Sequence, residues 1–358
     1  MNAHILITDE ETHDTVVNNS FWALKFSDLQ PKDINDIIIS QFNNTRKPYY
    51  AMLCDFYSLR DGDLVFLYKR QSGFYGIYKV KGEPFFDNST IGKIDKSFPI
   101  RIEIECINYF EKPVPEELLF STKEYESKFW SWFYRKIQGA RGINTITPEA
   151  TEALIELLVK MNGNSIKIPN IIKKYIKIPN IIKKYKRKKN CNITLPLRRK
   201  ESDSVFIEDA LRYYIIRYIG IKNFSEKIFG KKEDIEWYSN NVPYHVSGKN
   251  IDILVYHKNM RYTGYPLRYQ FSVVELKRDI AGEEAISQVI NYSKWVSTRL
   301  ANGEIETVQP IVIAKKFGDN AISKAKMIEF NSRKIKLYKY KFTNNDVYNL
   351  EFEEVHYD

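Results

Sequence analysis

Two short stretches decide the fold of this 358-residue chain: Lys249-Asn250-Ile251-Asp252-Ile253-Leu254 and Val273-Val274-Glu275-Leu276-Lys277-Arg278. Each opens on or contains an apolar, β-branched run of the kind that fills a buried strand. Each also carries a carboxylate among residues that shun water, and such a residue is not ordinary surface. Alternate strand residues point to opposite faces, so Glu275 and Lys277 share one face while Leu276 turns into the core. Two carboxylates with an ammonium beside them form the set that metal-assisted phosphodiester hydrolysis requires. The carboxylates hold a hard divalent cation, and the lysine stands near the attacking water or the scissile phosphate. Taken alone, Glu275 and Lys277 read more readily as a salt bridge.

The elements around these stretches alternate. A helix capped by Asp203 or Ser204 runs to about residue 219, with Phe206, Leu211, Ile215 and Ile219 at helical spacing. Strands over 251–256 and 271–276 follow, then a helix over 283–300, a strand over 310–314, a helix over 320–330, and strands near 335–342 and 348–355. Strands backed by helices predict a mixed α/β sheet flanked by helices.

With these elements in order, Ile-Asp-Ile-Leu followed by Val-Val-Glu-Leu-Lys-Arg resembles the PD-(D/E)XK nuclease superfamily, a restriction-endonuclease-like fold. Gln288-Val289-Ile290-Asn291-Tyr292 resembles the Gln-x-x-x-Tyr motif of its RecB-like branch, and Glu208 takes the place of a further acidic residue. The whole order, ending in Ile311-Val312-Ile313-Ala314, is most similar to the NucS-type nuclease domain over about residues 200–345. The resemblance implies that Asp252 and Glu275 ligate Mg²⁺ or Mn²⁺, with the carbonyl oxygen of Leu276 as a further ligand. It also implies that Lys277 orients the water or stabilises developing charge, a task suited to a compact ammonium. Glu208 would bind metal through water or hold Lys277. Gln288 and Tyr292, one helical turn apart, would face the same groove. The opposing reading is a nuclease fold whose charges merely pair with one another.

The N-terminal half reads differently. Short strands at 21–26, 63–68, 73–79 and 100–107 are punctuated by Gly62, Gly73, Gly76 and Gly82. A helix over 148–161 begins at Thr147 as N-cap and Pro148 at its first position. This pattern predicts a small β-barrel with helices. The stretches Ser20-Phe21-Trp22-Ala23-Leu24-Lys25, Leu59-Arg60-Asp61-Gly62-Asp63 running into Tyr68, Gly73-Phe74-Tyr75-Gly76, and Gly139-Ala140-Arg141-Gly142 resemble the EVE family of PUA-like domains, relatives of YTH readers, over about residues 4–160. The resemblance implies a pocket for one extruded, modified base, with Trp22, Tyr68 and Arg141 on base-binding positions. The sequence departs from the family at Tyr68-Lys69-Arg70. Trp22 also reads as a plain core tryptophan, while Trp130 and Trp132 read as packing residues.

Charge divides the chain again. Lys and Arg against Asp and Glu number 19 to 23 over residues 1–162, 13 to 0 over 163–200, and 23 to 22 over 201–358, so the net +10 resides in the middle. That segment contains the identical repeats Ile166-Lys-Ile-Pro-Asn-Ile-Ile-Lys-Lys-Tyr175 and 176–185, whose prolines forbid one continuous helix. Two copies are too few for a solenoid. It reads as a basic linker, either a solvated spacer or an arm whose Lys183, Lys184, Lys186, Arg187, Lys188 and Lys189 contact the DNA backbone. As a flexible coil its 38 residues span roughly 30–40 Å. Three scattered cysteines, and His4, His13, His245 and His257 without ligand spacing, offer no zinc site. The absence of a long apolar run or signal peptide predicts a cytoplasmic protein that is not membrane-bound.

The expected whole is a two-domain α+β or α/β chain. A PUA-like (EVE-like) reader occupies 1–162, a basic linker 163–200, and a PD-(D/E)XK nuclease 201–358. Its partner is modified double-stranded DNA, and one cut per active site implies a homodimer or successive nicks. A modification-dependent endonuclease is the leading reading, a NucS-type mismatch or structure-specific repair nuclease the second, and a non-catalytic nucleic-acid-binding protein the third.

Overall fold

In the computed structural model, residues 2–110, 112–137, 142–163, 193–244, 249–259, 268–328, 333–343 and 346–357 are described. The tandem repeat, the six basic residues 183, 184 and 186–189, and Arg141 lie outside them. The described residues fall into two units, Met1–Ser40 with Asp55–Ile193, and Gln41–Cys54 with Thr194–Asp358. No helix among them is long and apolar enough to cross a membrane.

The first unit is organised by a six-stranded mixed sheet in the order β2-β5-β4-β3-β1-β6. The strands are β1 (Ala3–Thr8), β2 (Phe21–Leu24), β3 (Leu64–Lys69), β4 (Gly73–Phe86), β5 (Ile100–Asn108) and β6 (Ile143–Ile146). Only β1 and β3 run parallel. Helix α1 (Glu10–Asn19) follows β1 behind an Asp9 cap, and α6 (Pro148–Met161) opens on Thr147 with Pro148 first, as its sequence predicts. Between them come α2 (Ile34–Asn43), α3 (Tyr49–Tyr57), α4 (Lys123–Lys128) and α5 (Trp130–Ile137). The expected barrel is not closed by hydrogen bonds, because no ladder joins edge strands β2 and β6 among the described residues. Side chains draw the two ends together instead. The indole N–H of Trp22 on β2 donates to the Ile7 carbonyl on β1 at 3.0 Å, and Gly142 abuts the Trp22 ring.

The second unit holds another six-stranded sheet, β12-β11-β10-β9-β8-β7. Its strands are β7 (Ile235–Tyr244), β8 (Lys249–Lys258), β9 (Tyr269–Ala281), β10 (Val308–Phe317), β11 (Lys336–Phe342) and β12 (Leu350–Glu354). Strands β9, β10 and β11 are parallel, and antiparallel partners flank them. The helices are α7 (Glu208–Tyr218), α8 (Asn223–Phe229), α9 (Glu283–Leu300) and α10 (Asp319–Met327). Helix α9 links β9 to β10 and buries Ala285, Ile286, Val289, Ile290, Tyr292, Ser293 and Val296, the stripe that its 3.6-residue period requires. The expected start of α7 at Asp203 or Ser204 is corrected to Glu208. The donors of that segment are used elsewhere, Val205 N–H on the Tyr340 hydroxyl at 3.3 Å and Phe206 N–H on the Leu197 carbonyl at 3.0 Å, while Asp203 pairs with Lys315. Tyr50, from the 41–54 excursion, packs edge-on against Phe206 and Tyr213 and donates to the Pro196 carbonyl at 2.5 Å.

His257 on β8 shares a 2.9 Å hydrogen bond with the Ser272 hydroxyl, and burial, aided by Lys336, lowers its pKa to about 4 against the pull of Asp234. The folded pKa lies below the unfolded value of about 6.5, so the contribution is complete above that pH and is lost as pH falls towards 4. Urea titrations from pH 7 to 4 should therefore show His257→Gln losing less stability than the parent chain, by up to about 3 kcal/mol. Parallel losses in both proteins would show that His257 is not part of the acid sensitivity.

Candidate active site

The β8–β9 ladder fixes the site. Its last pair at this end is Ile253 opposite Val274, and Asp252 and Glu275 lie one step beyond on their respective strands. Past the end of the ladder the Asp252 carboxylate takes over as acceptor: Leu276 N–H donates to its Oδ2 at 2.8 Å. Glu275 and Lys277 share a face of β9, as strand geometry requires, and Lys277 Nζ donates to Glu275 Oε1 at 2.5 Å. Leu276 between them is fully buried. Asp252 and Glu275 are 6% and 4% exposed, so the two acids stand where water is scarce.

Electrostatics tie Glu208 to the same cluster. Burial first, and then the charge of Asp252, raise the Glu208 carboxyl to about 7 and the Glu275 carboxyl to about 8, while Lys277 opposes both. The Lys277 ammonium is held above its ordinary range by Glu275, Glu208 and Asp252, even though burial works against it. Tyr292 on α9 is 4% exposed and packs on Tyr244 at 4.8 Å. Burial and the nearby Glu275 and Asp252 charges push its phenol up. Asp252, Glu275, Lys277, Glu208 and Tyr292 are thus brought together. Gln288 sits half-buried one turn before Tyr292, and its side chain makes no hydrogen bond among the described residues.

Arg212 is the residue that sequence reasoning missed. It lies on α7, 7% exposed, and its Nη1 and Nη2 donate at 2.6 Å to Asp209 Oδ1 and Asp252 Oδ1 respectively. The visible signal was an arginine between Leu211 and Ile215 on a stretch of helix whose neighbours are apolar, where a charge must find a partner.

The donor chemistry fits a hard cation: buried carboxylates that repel one another are what a divalent ion neutralises. Mg²⁺ needs only one or two of them beside its waters. In the arrangement observed, however, Asp252 is bonded by Arg212 and the Leu276 amide, and Glu275 by Lys277. Among the described residues no group of three or more His, Cys, Asp or Glu is gathered as ligands.

The base-binding expectations fare differently. Trp22 is 3% exposed, with Phe56 at 5.6 Å between ring centroids. Tyr68 is buried in a cluster with Phe74, Trp132 and Leu154 to which Trp22 does not belong. Its hydroxyl donates to Glu116 Oε2 at 2.9 Å, and Trp132 Nε1 donates to Glu116 Oε1 at 2.8 Å. The two aromatics do not form one cage, and Arg141 lies outside the described residues.

No family model matches the chain, and no curated protein matches it. Among solved structures, a hypothetical protein from Leishmania major aligns with 45% of this chain and 96% of its own, at 11% identity and a TM-score of 0.32. Human THYN1, solved in complex with DNA containing 5-methylcytosine, aligns with 44% and 98% respectively, at 12% identity and a TM-score of 0.25. EndoMS in its apo form aligns with 29% of this chain at 20% identity and a TM-score of 0.20. This chain spans 41% of the length of EndoMS. Each of these likenesses covers less than half of this chain.

Because the Trp22 indole is buried and joins β2 to β1, Trp22→Ala should lower unfolding free energy by about 3–5 kcal/mol, the range for large aromatic truncations. Trp22→Phe keeps most of the ring and should cost much less. An unchanged denaturation midpoint for Trp22→Ala would remove the indole from the fold's support.

Proposed function

We propose that the second unit hydrolyses DNA phosphodiesters with Mg²⁺ or Mn²⁺ and that the first unit selects a modified, extruded base. The observation that carries the hydrolytic part is the convergence of Asp252, Glu275 and Lys277, with Glu208 alongside, at the end of one ladder. Asp252 and Glu275, with the Leu276 carbonyl, would hold the metal, and Glu208 would reach it through water. When bound, the ion supplies Lewis-acid activation of the phosphate and lowers the pKa of water. Lys277 stands ready to stabilise charge developing on the phosphoryl oxygens, and Tyr292 bounds the cluster from α9. Glu208, whose carboxyl is raised by burial and by the Asp252 charge, suits the task of taking a proton from water.

The selective part rests on the EVE-like pattern of the first 160 residues. Against it, the burial of Trp22 and Tyr68 favours a second reading, in which the first unit only docks the nuclease onto DNA and the second unit chooses mismatched or branched duplexes. A silent nuclease fold is the third.

Cleavage of modified, unmodified and mismatched duplexes with Mg²⁺ or Mn²⁺ distinguishes the three. The full chain should cut modified DNA preferentially. Asp252→Ala and Glu275→Ala should abolish cutting while the protein stays folded, and Lys277→Ala should slow it by about a hundredfold or more, as loss of a transition-state donor does. Preference for mismatched duplexes selects the docking reading, and no metal-dependent cutting of any duplex selects the silent fold.

A further inference from the structure

Arg212 has no part in the hydrolytic chemistry proposed above, yet it is bonded directly to Asp252. Its guanidinium bridges Asp209 Oδ1 and Asp252 Oδ1, each at 2.6 Å, and its buried Nε has no hydrogen-bond partner among the described residues. The other Asp252 oxygen is held by Leu276 N–H. A guanidinium in this place supplies the positive charge that a metal would otherwise supply. The two carboxylates it touches are unequal. Asp252 is buried between strands, whereas the Asp209 side chain is 30% exposed on the first turn of the helix that carries Arg212. A cation displaced from Asp252 therefore retains a partner three residues away on its own helix, and does not become an unpaired buried charge.

We infer that Arg212 is a resident cation that competes with the divalent metal for Asp252, and that Asp209 is the partner to which it withdraws when the metal enters. The inference rests on the hydrolytic reading above, because it takes Asp252 as a metal ligand. It differs sharply from a scaffolding role. If Arg212 only held Asp252 in position, removing it would weaken metal binding. As a competitor, its removal strengthens binding, since the buried Asp252 charge is left for the metal to neutralise. Removing Asp209 has the opposite effect, because Arg212 is then left with Asp252 as its anionic partner.

Isothermal titration of Mn²⁺ into the full-length protein without DNA tests this. Arg212→Met should bind Mn²⁺ at least about tenfold more tightly than the parent chain, and Asp209→Asn about threefold or more weakly, with Asp252→Ala binding none at the site. Circular dichroism checks that each variant is folded. Unchanged or weaker binding by folded Arg212→Met overturns the inference while leaving Asp252 as a ligand. Should Arg212→Met fail to fold, the exposed Asp209→Asn decides: unchanged or tighter binding overturns it. Folded parent and Arg212→Met proteins that both lack Asp252-dependent Mn²⁺ binding would overturn the metal reading and the competition together.

Discussion

A carboxylate withdrawn from water has to be fully bonded, and Asp252 meets that requirement with three elements at once. It projects from β8, accepts the Leu276 amide of β9, and pairs with Arg212 of α7. Breaking one side of such a buried pair costs roughly 3–5 kcal/mol because the remaining charge is stranded. The pair itself need not stabilise the fold relative to an apolar replacement. What it fixes, as long as no metal has displaced Arg212, is placement. With α7 tied to the end of the β8–β9 ladder, Glu208 on the first turn of that helix is brought beside Glu275 and Lys277, although some 70 residues separate them in sequence. The site follows from a single bonding requirement at the place where strand pairing stops.

That gathering has an electrostatic cost. Glu208 and Glu275 have carboxyls raised to about 7 and 8 by burial and by the Asp252 charge. Acids whose folded pKa lies above the unfolded value favour the folded state at low pH, and that advantage is lost as pH rises through the folded value. Near neutrality these two carboxyls therefore oppose folding, the reverse of an acid in an ordinary ion pair. A ligand that binds the folded state and brings positive charge offsets this loss. Arg212 and Lys277 supply part of that charge from within the chain. A site that only needed stability would be better served by apolar side chains.

The central strands were legible because burial on both faces leaves an unbroken apolar run. The 251–256 and 271–276 stretches became the middle of β8 and β9, and only the ends grew. Helix α9 was equally plain from its stripe. Strand β7 was not, since the polar Ser239-Asn240-Asn241 and Pro243 interrupt any apolar run, and Asn241 adopts a positive φ of 50°. It is an edge strand, where a proline and an irregular residue are tolerated because one side needs no ladder. Strand β1, buried along all six residues, was hidden because His4 and Thr8 interrupt its apolar run. The acids Asp252 and Glu275 stood out against apolar neighbours, whereas Arg212 appeared among tyrosines, a leucine and isoleucines with nothing in the sequence to indicate which acid it meets. Pairing across 40 residues depends on the ladder register and the helix position together, and neither is written in local pattern.

Trp22 shows why an aromatic position is a weak guide to a base pocket. Its hydrogen bond to Ile7 and its contact with Gly142 bring opposite ends of the first sheet together, a structural use for a large flat side chain with one donor. A β-carbon placed on Gly142 would lie 3.2 Å from the Trp22 ring, so glycine is the residue that lets the segment entering β6 approach so closely. A base stacked on Trp22 has to displace part of this packing. Base stacking contributes about 1–3 kcal/mol per contact, comparable to what the displaced packing contributes, so recognition at Trp22 requires directed hydrogen bonds to the base in addition to its aromatic face. Under the base-reading proposal, recognition at Trp22 is thereby linked to the arrangement of β2, β1 and β6.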